Sequence, residues 1–445
     1  MRKFVMKLEH LKSVQVIILG FLLVIIAGTL LLMLPFASRG AGSASFSDSL
    51  FTATSAVCVT GLVVRDTATF WTPFGQAVIL ALIQIGGLGV VTVAIALAIV
   101  SGKKIGLIQR NIMQESISAP QISGIVKFTR FILMTTFTCE SIGALAMMPV
   151  FIPRFGLAKG IWYSFFHSIS AFCNAGFDLM GGSGKFSSLT AFAGNPLINI
   201  TIMALIIIGG IGFLTWMDIA INGFHLKRYC MQSKVVLTVT AILIAIPAIY
   251  FYFGEFTRGP KGMRIWLSLF QSVTPRTAGF NTADLSKMSE IGIFLLIILM
   301  LIGGSPASTA GGMKTTTIAV LFSSAGAVFR QKKDADLFQR RIPLPTIQNA
   351  GAILLLYTSL SALGGMIISR VEGLPLLTCF FETASAIGTV GLTMGITPGL
   401  TLLSRGILVL LMYIGRVGGL TLIFAAVSDK GMNSGRLPEG RITVG

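Results

Sequence analysis

The sequence predicts an all-α polytopic membrane protein in which four tandem span–pore loop–span repeats, and therefore eight transmembrane helices, surround a central pore. Its 445 residues are 54% hydrophobic and only 11% charged, about half the charged fraction of a typical soluble domain. Apolar runs of about 20 residues, the length that crosses a bilayer, recur along the chain. One short motif lies between the two runs of each successive pair, which indicates a fourfold internal repeat.

The motif is a phenylalanine followed by small Ala, Ser and Thr residues and closed by a glycine. Its four copies are Phe51–Leu62, Phe166–Phe177, Phe270–Phe280 and Phe381–Leu392. The closing glycines, which are 115, 103 and 112 residues apart, are Gly61, Gly176, Gly279 and Gly391. The glycine follows the phenylalanine by ten positions in three copies and by nine in the third. The sequence therefore leaves the backbone register of the third copy open.

The apolar runs define the expected spans and repeats. The eight spans are expected at Val14–Leu34, Phe74–Val100, Ile125–Phe151, Pro196–Ala220, Val235–Phe253, Ile291–Phe329, Ala350–Ser369 and Gly406–Val427. The repeats then cover residues 1–110, 111–222, 223–342 and 343–445, and the second span of the third repeat is broken. The first run is longer than the roughly 7 to 15 residues of a signal-peptide core. We therefore expect it to be a retained span.

Lysine and arginine predict the orientation. The segments before the first span, after the last span and between successive span pairs hold 20 of the 34 basic residues, while the segments that carry the motifs hold 12. Because basic residues mark the cytoplasmic side of a membrane protein, we expect both termini in the cytoplasm and the motifs on the outer side. Basic residues at membrane flanks also account for the net charge of +18, so no nucleic-acid partner is expected.

Each motif has the composition of a short helix that leads into a turn at glycine. Such a loop can enter a membrane only if its backbone is buried in protein or faces water. A descending helix points its negative end inward, and glycine lets the following carbonyls turn toward a common axis. Four such segments would form a ring of oxygens that replaces the hydration shell of a monovalent cation. A single copy would be explained equally by an ordinary outer loop with a capping glycine, but four copies favour the ring.

The segment from Gly303 to Gly312 interrupts the long second run of the third repeat. Four glycines and Pro306 within ten residues make a poor helix. Non-helical backbone at membrane depth is tolerated where it is buried in protein or lines a cavity. We therefore interpret this segment as a gate below the ring, and the alternative is a passive kink. Lys314, just beyond it, is expected either to pair with the segment or to extend toward the cytoplasm.

Arg416 departs from a second recurring feature. The second run of each of the first three repeats contains Ile-Gly-Gly, for which close helix packing is the simplest explanation, whereas the fourth has Ile414-Gly415-Arg416. An arginine inside a span requires water or a partner. It would hinder a cation path if it projected into one. The alternative is a structural arginine bound to carbonyls, to Glu382 or to Glu140, and the two roles are compatible.

Several other polar residues lie near the motifs. The position after each motif phenylalanine holds Thr52, His167, Gln271 or Glu382, which we expect to support the motif through hydrogen bonds rather than to bind ions. Asp178 and Asp284 follow two of the glycines and are expected either to attract cations at the outer mouth or to be solvated loop acids.

Other classes of protein fit the sequence less well. The five cysteines form no C-x-x-C pair, and the motif position of Cys58 and Cys173 is Arg276 or Gly388 in the other copies, so thiol chemistry is not required there. The spans share no catalytic constellation and the chain has only three histidines, so we expect neither an enzyme nor a protein metal site. A secondary carrier of another cation or small solute, built on the same repeats, is the remaining alternative.

These features together resemble the superfamily of K⁺ transporters that includes bacterial Trk and Ktr systems and plant HKT proteins. Eight spans without an additional N-terminal pair are most similar to the membrane subunits of Ktr systems. The resemblance implies a potassium-channel-like pseudo-fourfold fold and K⁺ as the substrate. The implied selectivity filter consists of Val59, Thr60, Gly61, Asn174, Ala175, Gly176, Thr277, Ala278, Gly279, Thr389, Val390 and Gly391. The implied gate consists of Gly303, Gly304, Ser305, Pro306, Ala307, Ser308, Thr309, Ala310, Gly311, Gly312, Lys314 and Arg416.

The resemblance also implies partners. It implies a homodimer in the lipid of a bacterial cytoplasmic membrane, controlled by a cytosolic nucleotide-binding regulatory ring, and often Na⁺ as an activating or coupled ion. The chain has no strand-linked phosphate-binding glycine motif, so any nucleotide control would come from that partner. No cofactor is expected on this chain itself.

Overall fold

The computed structural model describes residues 13–40, 42–100, 114, 124–182 and 184–419. Apart from two isolated bridges, the regular structure in these ranges is helical except for one hairpin. Its strands β1 (Asp336–Leu337) and β2 (Arg340–Arg341) pair antiparallel, with Asp336 opposite Arg341.

The helices follow the expected repeats in order. Those of the first are α1 (Ser13–Leu32), α2 (Phe46–Val57), α3 (Pro73–Leu88) and α4 (Val90–Val100). Those of the second are α5 (Ile125–Phe155), α6 (Leu157–Phe172), α7 (Pro196–Gly210) and α8 (Phe213–Asn222). Those of the third are α9 (Met231–Tyr250), α10 (Lys261–Val273), α11 (Glu290–Leu301) and α12 (Thr315–Phe329). Those of the fourth are α13 (Leu344–Glu372), α14 (Leu376–Gly388) and α15 (Leu402–Val417).

Short helical segments connect these elements. A π-helical turn, Phe251–Glu255, extends α9, and one α-helical turn, Thr67–Phe70, precedes α3. The 3₁₀ turns are Met180–Gly182, Thr190–Phe192, Leu226–Arg228, Leu285–Lys287 and Thr397–Gly399.

Four helices of the described chain are long and apolar enough to cross a membrane. They are Val14–Leu32, Ile125–Phe155, Met231–Glu255 and Leu344–Glu372, and the bent pair α7–α8 makes five if it is counted as one span. The prediction of a mostly helical membrane protein is thus confirmed. The count of eight spans stays a prediction.

The second spans are not the continuous helices that we expected in the first two repeats. Phe74–Val100 is divided into α3 and α4 at Gly89, which has a φ of 87°. The predicted span Pro196–Ala220 bends by 97° between α7 and α8, where Gly212 has a φ of 94°. A residue with positive φ cannot continue a right-handed helix, which explains both corrections.

The fourth repeat differs from its prediction in the same way. Helix α15 begins at Leu402, earlier than the expected Gly406, and ends at Val417 because Gly418 has a φ of 95°. The remainder of the predicted span, from residue 420 to 427, lies outside the described residues. In the third repeat the break between α11 and α12 contains the whole of Gly303–Gly312, as predicted.

The motifs occupy the centre of the fold. All four motif phenylalanines, Phe51, Phe166, Phe270 and Phe381, are at most 1% exposed. In contrast, the long first helices expose large apolar side chains, such as Leu23 on α1, Leu145 on α5 and Ile246 on α9. Small polar residues therefore lie inside and apolar residues outside, the arrangement expected of a protein surrounded by lipid.

Candidate functional site

The four closing glycines lie together in one ring. A β carbon built on any of them would lie between 2.9 and 3.2 Å from the Cα atom of the glycine in the next motif. It would also collide with the carbonyl oxygen of the residue before a glycine, in the order Gly61 to Ala175, Gly176 to Ala278, Gly279 to Val390 and Gly391 to Thr60. The order returns to its start, so the four segments form a closed ring with no room for side chains at these positions.

The residue two places before each glycine is also left-handed. Val59, Asn174, Thr277 and Thr389 have φ values of 57°, 59°, 66° and 51°. Three of these residues are β-branched, for which positive φ is uncommon and costs roughly 1 to 3 kcal/mol. Sequence reasoning attributed positive φ only to the glycines and missed this feature. The common spacing shows that the third motif is in register at Thr277 and Gly279, so its missing residue lies earlier.

A hydroxyl from each motif helix holds its own segment. The amides of Gly61 and Gly391 donate to Ser55 Oγ and Ser385 Oγ, each at 3.0 Å. In the second motif Ser170 Oγ donates to the carbonyl of Phe177 at 2.7 Å, and Thr274 makes the same contact with Phe280 in the third. Sequence reasoning treated these residues only as helix formers. Their recurrence five or six positions before the glycine was the available signal.

The residues after the motif phenylalanines support the backbone beyond the ring. His167 Nε2 accepts from the amide of Leu179 at 3.3 Å, and Gln271 Nε2 donates to Asn281 Oδ1 at 3.2 Å. Glu382 accepts from the Met394 amide at 2.9 Å and from the Thr397 hydroxyl at 2.8 Å. The fourth such residue, Thr52, donates instead to the carbonyl of Asp48 in its own helix. Hydrogen bonding of the expected kind is therefore present in three motifs.

A cavity of about 320 Å³ lies on one side of the ring and is lined by all four glycines. Asp66, Asp178 and Asp284 also line it. Burial raises the pKa of Asp178 to about 7, although the hydrogen bond from the Met180 amide opposes this shift. Hydrogen bonds from Ser286 and Lys287 lower the pKa of the exposed Asp284. The cavity thus has an acidic lining, one member of which changes charge near neutral pH.

The glycine-rich segment lies against two of the motifs on the other side of the ring. The Ser305 amide donates to the Gly210 carbonyl at 2.9 Å, and Thr309 Oγ1 donates to the carbonyl of Phe172, the last residue of α6, at 3.0 Å. A β carbon on Gly311 would collide with the side chain of Thr389. The segment is therefore wedged between the break in α7–α8 and the segments of the second and fourth motifs.

Two basic side chains bind the carbonyls around this segment. Lys314 Nζ donates to Ala310 O at 2.7 Å and to Gly311 O at 3.3 Å, so it pairs with the segment rather than extending away from it. Arg416 donates to Thr309 O and to the carbonyls of Gly86 and Gly87. Both side chains line a second cavity of about 340 Å³.

Of the alternatives for a structural Arg416, the structure has the carbonyls and neither carboxylate. Glu382 binds the loop beyond the ring, as described above, and Glu140 accepts from Gln84 Nε2 at 3.3 Å. The guanidinium therefore bridges the first and third repeats while belonging to the fourth.

The Ile-Gly-Gly triplets allow close packing beneath the motif helices. β carbons on Gly86, Gly209 and Gly415 would collide with the carbonyls of Val57, Phe172 and Ile387, respectively, each four residues before a ring glycine. The packing role of these glycines is thus observed. Sequence reasoning missed the glycine three positions further on, at Gly89, Gly212 and Gly418, although its repeated spacing was visible in the chain.

No side-chain cluster of the described ranges offers a conventional metal site. Groups of three or more His, Cys, Asp or Glu residues that could hold a metal ion are absent from those residues. All five cysteines are free. Any cation bound at the ring would therefore depend on backbone oxygens.

Helices of membrane-crossing length around a buried backbone ring place the chain among integral membrane proteins. The family model described as "TrkH: Cation transport protein" matches residues 6–436, and the chain belongs to this family. Members of this family are ion transporters, so the chain is a transporter and not an enzyme.

Relatives agree with this assignment. The chain is 42% identical to the potassium/sodium uptake protein NtpJ of Enterococcus hirae, over 98% of each sequence. It is 40% identical to the Ktr system potassium uptake protein B of Bacillus subtilis, over 97% of this chain and 96% of the relative. The crystal structure of the potassium transporter TrkH from Vibrio parahaemolyticus has the same fold, with a TM-score of 0.74 over 94% of this chain and 85% of that one, at 18% identity. The predicted resemblance to the Trk and Ktr systems is confirmed.

Proposed function

We propose that this protein takes up K⁺ across the bacterial cytoplasmic membrane and that the ring of Gly61, Gly176, Gly279 and Gly391 belongs to its selectivity filter. The closed ring of the four motif segments is the observation that carries this proposal. The left-handed residues before the glycines alternate with right-handed ones, which lets successive carbonyls face one side. Twelve backbone carbonyls, three from each segment, would then replace the water around a dehydrated K⁺ ion.

Glycine at all four ring positions supports K⁺ as the substrate, and so do the relatives named for potassium uptake. NtpJ is named for both potassium and sodium, so Na⁺ is proposed as a second transported or activating ion. The acidic cavity would form the outer mouth and raise the local concentration of cations. A secondary carrier of another solute is less well supported, because the ring presents backbone rather than the dedicated side chains that an organic solute requires.

The glycine-rich segment Gly303–Gly312, with Lys314 and Arg416, is proposed as the gate. Its contacts with Phe172 and Thr389 place it directly behind two filter segments. Arg416 adds a positive charge to the inner cavity, which disfavours a cation there. Release of the few hydrogen bonds that hold the segment would open the path, and a small number of contacts can be overcome by a bound partner.

The proposed assembly follows the name of the Ktr system. Four pore loops would meet between eight spans, with both termini in the cytoplasm. Two copies of the chain in membrane lipid would bind a cytosolic nucleotide-binding regulatory ring. The relative from Bacillus subtilis is named as part of a Ktr system, which supports such a regulatory partner.

The test is cation uptake in bacterial cells that lack their own K⁺ uptake systems. Cells that express the chain with a Ktr regulatory subunit should grow at low K⁺ and accumulate K⁺, and added Na⁺ should accelerate uptake if it is an activator. The same cells without the chain are the control. A membrane-inserted chain that transports neither K⁺ nor Na⁺ in the presence of its regulatory subunit would refute the proposal.

A further inference from the structure

Arg276 is a buried arginine immediately before the third filter segment. It is 3% exposed and follows the end of α10 at Val273 by three residues. The first two motifs have Cys58 and Cys173 three residues before the glycine, and the fourth has Gly388. Only the third of the four segments thus carries a charged side chain at this position.

This guanidinium has little compensation within the described residues. Its Nη2 donates to Thr240 Oγ1 at 3.1 Å, and its Nε has no hydrogen-bond partner there. None of the ion pairs among those residues includes it. The nearest compensation available from the fold is the negative end of α10, since cations are favoured at the C-terminus of a helix.

That helix end has another proposed task. The C-terminal ends of α2, α6, α10 and α14 all lead into the ring, and each would attract a cation there. A fixed positive charge beyond α10 offsets the attraction of that helix, whereas the corresponding uncharged residues leave the other three unaltered. The field around the ring is therefore weaker on the side of the third repeat.

We propose that Arg276 determines how tightly the ring binds cations, by a fixed charge that weakens binding and so speeds ion release. This inference rests on the proposed filter function. Conduction requires a site that holds an ion long enough to select it and loosely enough to release it. An unbalanced charge beside the filter shifts binding toward release without touching the ion.

An electrostatic effect has a signature that a structural effect lacks. The interaction energy of a fixed charge with an ion is proportional to the charge of the ion. If removal of the charge strengthens K⁺ binding by about tenfold, it should strengthen the binding of Ba²⁺, which is similar in size and doubly charged, by about a hundredfold. A distorted filter has no reason to follow this square relationship.

The experiment is calorimetric titration of the purified full-length protein with K⁺ and separately with Ba²⁺. Arg276→Cys introduces the residue of the first two motifs, and Arg276→Gln is a second neutral variant in case the first does not fold. Arg276→Lys keeps the charge, and Thr240→Val removes the hydrogen bond while it leaves the charge in place. Thermal unfolding of every variant checks that the protein is folded.

The neutral variants should bind K⁺ about tenfold and Ba²⁺ about a hundredfold more tightly than the wild type, and the Lys and Val variants should stay within about threefold for both ions. A wild-type protein that binds K⁺, with folded neutral variants that show no change or an equal change for both ions, overturns the role of Arg276 and leaves the filter proposal standing. A wild type that binds neither ion refutes both.

Discussion

The carbonyl oxygen of Thr60 lies directly against Gly391 and closes the ring between the first and fourth motifs. A β carbon on Gly391 would overlap this oxygen and would lie 2.9 Å from the Cα atom of Gly61. Gly391 also has a φ of 93°, which L side chains rarely adopt. Two segments more than 300 residues apart in sequence therefore share one boundary, and any side chain there must move a carbonyl of the ring.

Gly391→Ser should accordingly weaken the preference for K⁺ over Na⁺, because the displaced Thr60 carbonyl can no longer match the dehydrated ion. We expect the ratio of K⁺ to Na⁺ uptake to fall by about tenfold, which corresponds to about 1.4 kcal/mol. The measurement is uptake of each ion in cells without other K⁺ uptake systems. Gly399→Ser is the control, since a β carbon at Gly399 has no heavy atom within 4 Å. An unchanged ratio in the Gly391 variant would remove this residue from the filter.

Deletion of Ser305–Ala310 should raise flux in the absence of the regulatory subunit. The deletion removes the contacts of Ser305 with Gly210 and of Thr309 with Phe172, together with the backbone that fills the space behind the filter. The measurement is K⁺ uptake per inserted molecule, with and without the regulatory subunit. Ser308→Ala, which loses only the hydrogen bond to Ser305 O, serves as the control. Unaltered flux through a correctly inserted deletion variant would argue against a gate.

Arg416→Gln should also increase unregulated uptake, by several-fold, because it removes a positive charge from the inner cavity and weakens the bridge between Thr309 and Gly86. Arg416→Lys should give an intermediate rate, since lysine keeps the charge but lacks the planar fork that reaches two carbonyls. Uptake of K⁺ by cells without the regulatory subunit measures both. Arg330→Gln, at an exposed position beyond α12, is the matched control. Equal rates for all three variants would exclude Arg416 from the barrier.

The affinity for K⁺ should rise with pH through Asp178. Because burial raises the pKa of Asp178 to about 7, its carboxyl is mostly neutral at pH 6 and mostly ionised at pH 8. The added negative charge at the outer cavity should lower the apparent KM for K⁺ by about twofold to threefold over this range. Asp178→Asn should abolish the change.

Asp284→Asn provides the comparison for that measurement. The pKa of Asp284 is lowered, so this side chain is ionised at both pH values, and its removal should raise KM equally at pH 6 and pH 8. A wild-type KM that does not depend on pH would show that Asp178 does not contribute to cation attraction.

Much of this architecture was visible in local sequence patterns. The length of apolar runs predicted a membrane protein, and the closing glycines of the four motifs were found by their spacing alone. The glycine and proline content of Gly303–Gly312 predicted a break at the place where α11 ends. These predictions succeeded because span length and tolerance of positive φ are properties of short stretches of chain.

The tertiary structure decided which residues meet. Sequence reasoning did not predict the left-handed Val59 or the interruptions at Gly89 and Gly212, because packing imposes these conformations on residues whose own preferences are helical or extended. It left open whether Arg416 binds carbonyls or carboxylates, since those partners belong to repeats up to 330 positions away. The sequence by itself determined that four permissive backbone segments enter a membrane protein. Only close packing of distant repeats, with carbonyl against glycine, determined that they form one ring.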